Sequence, residues 1–207
     1  MPITQEFEAR AAELIEAGRF IHARGWAPAT SGNFSARLSD GSIAITVSGK
    51  NKGALTLGDI MRVDEAGRPL DDKKPSAETL LHTSLYRRYA WIKSILHPHS
   101  PNSSLVSKLF AHEVVLEDNE LLKAMEGVNT HEKRVVVPIF PNDQNIPHLS
   151  LRVDEYIEMH GDDIYGYIIA GHGFYTWGMS VEHALRHVEA LEHLFDIELR
   201  LHGLKNR

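Results

Sequence analysis

A chain of 207 residues with 43% apolar and 24% charged residues has the composition of an ordinary globular protein and is long enough to bury a full core. Its 22 Lys and Arg against 28 Asp and Glu, a net charge of -6, remove any electrostatic reason to expect a nucleic acid as partner. With no cysteine there is no disulfide and no thiolate, so a transition metal would have to be held by imidazole and carboxylate, which turns attention to the 13 histidines.

Phe7, Ala11, Leu14, Gly18 and Ile21 recur at helical spacing and Gly25 stands where a helix stops, predicting an amphipathic helix over residues 5–24. Phe34, Ala36 and Leu38 alternate with polar residues, as do Ile43, Ile45 and Val47, and Asp40-Gly41 lies between them. That is the pattern of a β-hairpin over 33–47. A second turn at Ala66-Gly67 follows the apolar run at 61–63, and residues 76–89 read as a helix. The run at 92–96 leads straight into His97-Pro98-His99. Residues 135–139 and 165–170 are two further strand-like runs, the second ending at Gly171-His172-Gly173. The closing helix carries Val181, Ala184, Leu185, Val188, Leu191 and Phe195 on one stripe, with Ser180 at its capping position. No linker or repeat divides the chain, so one domain over 1–207 is expected, α/β or α+β around a mixed sheet. No apolar run approaches the roughly 18 to 20 residues of a membrane span, and the acidic start at 1–8 lacks the basic and apolar regions of a signal peptide. A cytoplasmic protein without membrane contact is the expectation.

Among 13 histidines in 207 positions, about 0.8 His-x-His pairs arise by chance, so the pair at 97 and 99 carries weight only through its context. On an extended chain residues i and i+2 point to one side, and Pro98 biases His97 toward that conformation, so both rings can reach one ion. The alternative is two polar residues at a strand end bonded to loops. His172, between two glycines after a strand, would make a third ligand and leave an open position suited to Lewis-acid catalysis. His183 and His187, four apart on the last helix, form a rival pair that reads better as a half-buried helix flank. The other histidines carry no pattern and read as surface or interior residues. Glu78, in Lys74-Pro75-Ser76-Ala77-Glu78, reads as a capping residue, and Glu120 as part of a charged first turn. Ser31-Gly32-Asn33 and Ser48-Gly49-Lys50 are polar turns whose amides, hydroxyls and ammonium could converge on a phosphate, though turn chemistry alone selects such residues.

Taken in order, Ser31-Gly32-Asn33-Phe34-Ser35, Thr46-Val47-Ser48-Gly49-Lys50, Lys74-Pro75-Ser76-Ala77-Glu78, His97-Pro98-His99-Ser100 and Gly171-His172-Gly173 resemble the successive motifs of the class II aldolase family, over nearly the whole chain. Within that family the stretches 74–86, 120–127, 130–143 and 171–178 resemble a dehydratase branch. The resemblance implies a three-layer α/β/α domain with a central, mainly antiparallel mixed sheet, and a homotetramer with active sites near subunit boundaries. It implies one Zn2+ per subunit on His97, His99 and His172, and a phosphorylated ketose held at Gly32, Asn33, Ser48, Gly49 and Ser76. Lys50 is added to that set on charge grounds. Glu78 matches the acid/base of the aldolase branch and Glu120 that of the dehydratase branch, and the expectation favours Glu120. Two departures stand out: Pro98 replaces the usual Thr or Asn between the histidines, and Ala77 replaces a phosphate-binding serine. Loss of water from a ketose phosphate needs no redox cofactor, in keeping with the lack of a Gly-x-Gly-x-x-Gly fingerprint. The rivals are a sugar-phosphate aldolase or epimerase, and a metal-free binding or scaffold domain on the same fold.

Overall fold

The computed structural model describes residues 3–161 and 163–205. Met1 and Pro2, within the acidic start considered above, lie outside the described residues, as do 162, 206 and 207. The predicted opening helix is α1 (Ile3–Ala23), and the predicted hairpin is β1 (Asn33–Arg37) with β2 (Ile43–Thr46), turning at Gly41. After β3 (Ile60–Val63) comes α2 (Thr79–Arg88), three residues shorter at its start than the spacing predicts. The chain at Ser76 forms a turn instead, the Thr79 amide donating to the Ser76 carbonyl. β4 (Ser94–His97), α3 (Pro101–Leu109), β5 (Glu113–Leu116), β6 (Val135–Phe140), α4 (Ile146–His160), β7 (Gly166–Ile169), β8 (Gly173–Gly178) and α5 (Val181–Lys205) complete the chain. The Ser180 hydroxyl caps α5 by accepting from the His183 amide at 3.1 Å.

The eight strands form one sheet in the order β3-β2-β1-β4-β8-β7-β6-β5. Every neighbouring pair is antiparallel except β6 with β7, so the sheet is mixed and mainly antiparallel, as the resemblance implies. Period-two alternation divides its side chains between two cores. Leu96, Ile168 and Phe174 pack with Leu14 and Ile21 of α1, Val106 of α3 and Val188 and Leu191 of α5. Their sequence neighbours Ile95, Tyr167 and Tyr175 face the other way, onto Leu81 and Leu85 of α2 and Val153 and Ile157 of α4. Three layers follow: helices, sheet, helices. Among the described residues no helix is long and apolar enough to cross a membrane.

Candidate metal and anion site

The centre of the sheet builds the site. β1 and β4 pair so that Asn33 stands opposite His97, and β4 runs on through Pro98 to His99. This segment is pinned from both sides. The His99 amide donates to the Trp26 carbonyl at 2.8 Å and the Phe174 amide to the Pro98 carbonyl at 3.1 Å. His97 Nδ1 meets the Phe174 carbonyl at 2.8 Å. A carbonyl can only accept, so His97 carries its proton on Nδ1 and turns the Nε2 lone pair toward the cluster, the usual second-sphere arrangement for a metal-binding imidazole. The His97 ring stacks on Tyr175, centroids 3.9 Å apart.

β7 and β8 are joined by a three-residue connection, Ile169 pairing with Gly173, and Gly171 at φ 63° supplies the left-handed position that turns the chain. His172 is thereby presented from the turn toward the end of β4. Gly173 has its own constraint: a Cβ there would sit 2.3 Å from the Pro98 carbonyl oxygen. Only glycine lets β8 come this close to the histidine segment.

Glu78, His97, His99 and His172 each offer a ligand-type atom, and these four atoms lie within 4.8 Å of one another. His99 Nε2 is 2.9 Å from His97 Nε2, and His172 Nε2 is 2.9 Å from Glu78 Oε1. Burial lowers the pKa of His97 far below the usual histidine range and, with the neighbouring His172, lowers that of His99 to about 4. Both rings are neutral at pH 7, the form that ligates metal. Burial opposes the charge of Glu78, but the hydrogen bond from His172 and the field of the three imidazoles outweigh it and hold the carboxyl at about 2. Three imidazoles and a carboxylate converging without a thiolate fit a divalent cation.

Glu78 departs from the capping role expected of it. It precedes the first residue of α2 but makes no side-chain cap bond, and the Ser76 hydroxyl accepts from the Glu78 amide instead. The Glu78 side chain is recruited by its neighbours. Asn33 Nδ2 donates to Glu78 Oε2, and Asn33 Oδ1 accepts from His82 Nε2. His82 Nδ1 lies 2.7 Å from the Ser35 hydroxyl, itself 2.8 Å from the Tyr86 hydroxyl. An ionised carboxylate accepts only, and that fixes every bond in the row: Tyr86 donates to Ser35, Ser35 to His82, His82 to Asn33, Asn33 to Glu78. His82 is fully buried, and burial lowers its pKa to about 3 despite the pull of Glu78, so the ring is neutral as the row requires.

Beside the cluster lies a cleft of about 230 Å3, lined by Thr30, Ser31, Gly32 and Asn33 on one side, Val47, Ser48 and Gly49 on another, and Ser76, Glu78 and His99. Five residues assigned to phosphate by resemblance, Gly32, Asn33, Ser48, Gly49 and Ser76, thus line one cavity with Glu78 and His99 of the imidazole–carboxylate cluster. Lys50 does not line it; its ammonium pairs with Asp59 at 2.9 Å. Glu120 lies apart from the cluster, on a 3-10 turn (Glu120–Ala124), its side chain 75% exposed and paired with Lys123 at 2.6 Å. Among the described residues His183 and His187 form no cluster of metal-binding type; both contact Glu126, His187 by accepting its amide at 3.1 Å. The residues that sequence reasoning passed over are His82, Lys52, Tyr175 and the carbonyl of Phe174.

The model of the class II aldolase and adducin N-terminal domain matches residues 12–199. The chain belongs to this family. Among its class II aldolase relatives, the methylthioribulose-1-phosphate dehydratase of Methylococcus capsulatus is 68% identical over 200 residues, covering 97% of this chain and 98% of that one. The protein of the same name from Pseudomonas fluorescens is 50% identical, over 100% and 99%. Among solved structures, L-fuculose-1-phosphate aldolase of Thermus thermophilus superposes with a TM-score of 0.77 at 24% identity, covering 97% of this chain and 99% of that one. The Escherichia coli protein YgbL gives 0.78 at 26%, covering 95% and 90%. The class II aldolase fold is therefore established twice over, from sequence and from shape.

Proposed function

We propose that this class II aldolase-like unit is a zinc-dependent hydro-lyase that converts 5-methylthioribulose 1-phosphate to 2,3-diketo-5-methylthiopentyl 1-phosphate and water, a step of methionine salvage in the cytoplasm. The observation that carries the reading is the imidazole–carboxylate cluster, whose His99 and Glu78 line one cleft with the turns at Gly32-Asn33, Ser48-Gly49 and Ser76. The choice of substrate rests on the relatives of that name, matched over nearly the whole chain.

His97, His99 and His172 would hold the cation, which supplies Lewis acidity to a ketose carbonyl. The turn amides and hydroxyls hold the phosphate at one end of the cleft and so fix the sugar relative to the carboxylate. A carboxylate takes the proton from C3, the C4 hydroxyl leaves with a proton as water, and the enol tautomerises to the 2,3-diketone. Glu78 is the carboxylate within reach of the cluster, ionised and oriented by Asn33 and His172. Glu120 remains a second candidate; exposed on its own subunit, it would act at a site completed by another copy in the tetramer we propose.

The test is direct: methylthioribulose 1-phosphate is supplied with and without a chelator, product is scored as the diketone, and zinc is measured in protein purified without chelator. Chelator-sensitive diketone formation is expected. Condensation of dihydroxyacetone phosphate with an aldehyde, in its place, would identify an aldolase, a reading favoured by the position of Glu78.

A further inference from the structure

Lys52 is 1% exposed and ranks among the largest fully buried side chains of the protein. Its ammonium donates to the Thr30 carbonyl at 3.0 Å and to the Lys50 carbonyl at 2.7 Å. Thr30 belongs to one wall of the anion cleft, and Lys50 follows Gly49 of the other. Among the described residues no carboxylate forms an ion pair with it; the carboxylate whose field it feels is that of Glu78, which lines the cleft. An ammonium taken out of water and given only carbonyl partners is strongly unfavourable, and such a charge is normally offset by an opposite one. Lys52 does not itself line the cleft; its ammonium sits behind the two walls, bonded to the backbone of both turns, and its charge reaches the cleft as a field.

We propose that Lys52 is the cation of the anion cleft: held between the two turns behind its lining, its ammonium supplies the positive field that favours the phosphate dianion of a sugar phosphate there. This rests on reading the cleft as a phosphate site, and it gives Lys52 the part that charge alone would assign to Lys50, which is spent on Asp59.

The test is titration of inorganic phosphate into the metal-loaded wild-type protein and the Lys52→Gln variant, read by calorimetry, with thermal melts of both. Glutamine keeps an N–H for the carbonyls and removes the charge. Phosphate affinity is expected to fall about tenfold or more, as for loss of a charged partner in a low-dielectric site, with KM for the phosphorylated substrate rising alike and kcat within about threefold. Should the glutamine variant fail to fold, Lys52→Met, of similar length, carries the same comparison. Equal phosphate affinity in wild type and variant would overturn the role of Lys52 and leave the phosphate site standing. No phosphate binding by the wild-type protein would overturn both.

Discussion

Two carboxylates compete for the acid/base role, and their surroundings differ in kind. Glu78 is half-buried, accepts from Asn33 and His172, and stands among the rings of His97, His99 and His172; Glu120 is exposed and tied to Lys123. Glu78→Gln and Glu120→Gln separate them: the variant that loses the proton-transfer group should lose about 10² to 10⁴ in turnover while the other stays within a few fold. Geometry within one chain favours Glu78 as the sensitive position, with zinc content unchanged in Glu120→Gln. Behind Glu78, His82 is a residue whose function is entirely relational. His82→Leu leaves the buried Asn33 oxygen without a donor, a loss of about 1–3 kcal/mol in stability, and frees the amide to rotate away from Glu78. Turnover should fall with it. His82→Gln, which can still donate to Asn33, should recover much of both, and denaturant unfolding beside steady-state kinetics decides whether it does.

At the scale of elements, the site depends on how closely β8 approaches the segment after β4. The Phe174 peptide bonds to Pro98 and to the His97 ring, and Gly173 has no room for a side chain against Pro98. Gly173→Ala must therefore push the two segments apart, and the pairing of Leu96 with Thr176 further along resists the movement. The expected result is a folded protein that binds metal weakly, seen as substoichiometric zinc with near-normal circular dichroism. A fully loaded variant would show that the histidines do not depend on this contact. The hairpin of β1 and β2 acts differently. By pairing Asn33 with His97 it brings the turn at Gly32-Asn33 beside the imidazole–carboxylate cluster, while the turn after β2 forms the facing wall of the cleft.

For the molecule as a whole, several imidazoles are buried uncharged, and this sets its response to acid. His82 and His187, lowered by burial to about 3 and about 4, stay neutral in the folded protein at pH 5, whereas in the unfolded chain they are protonated below about 6.5. The unfolded state then binds more protons, so stability falls as pH drops from 7 to 5, by up to about 2 kcal/mol per imidazole. His97 and His99 add to this in metal-free protein. Glu192 acts in the opposite sense, since burial raises its carboxyl to about 7 and the folded form gains protons over the same interval, offsetting about one imidazole. Metal-free protein should therefore melt at lower temperature at pH 5 than at pH 7, and zinc should widen the difference at pH 7. A melting temperature independent of pH would contradict the burial of neutral rings.

Local patterns alone were enough for α1, the first hairpin, the last helix with its Ser180 cap, and three histidines placed at strand ends, because each depends on periodicity or turn chemistry within a few residues. The ordered motifs carried the family and the mixed, mainly antiparallel sheet. Sequence reading did not resolve β5, β8, α3 and α4, which are short or owe their form to the layers packed against them. Nor could it assign side chains to partners. Whether Glu78 caps a helix or joins the imidazoles is decided by Asn33, 45 residues away, and by His172, farther still. Lys50 is drawn outward by Asp59, whereas Lys52 is held inside by the Thr30 carbonyl, and neither partner is near in sequence. Spacing brings His97 and His99 to one side of a strand; His172 and Glu78 join them only because β4 lies between β1 and β8, contacts made by folding and invisible in local order.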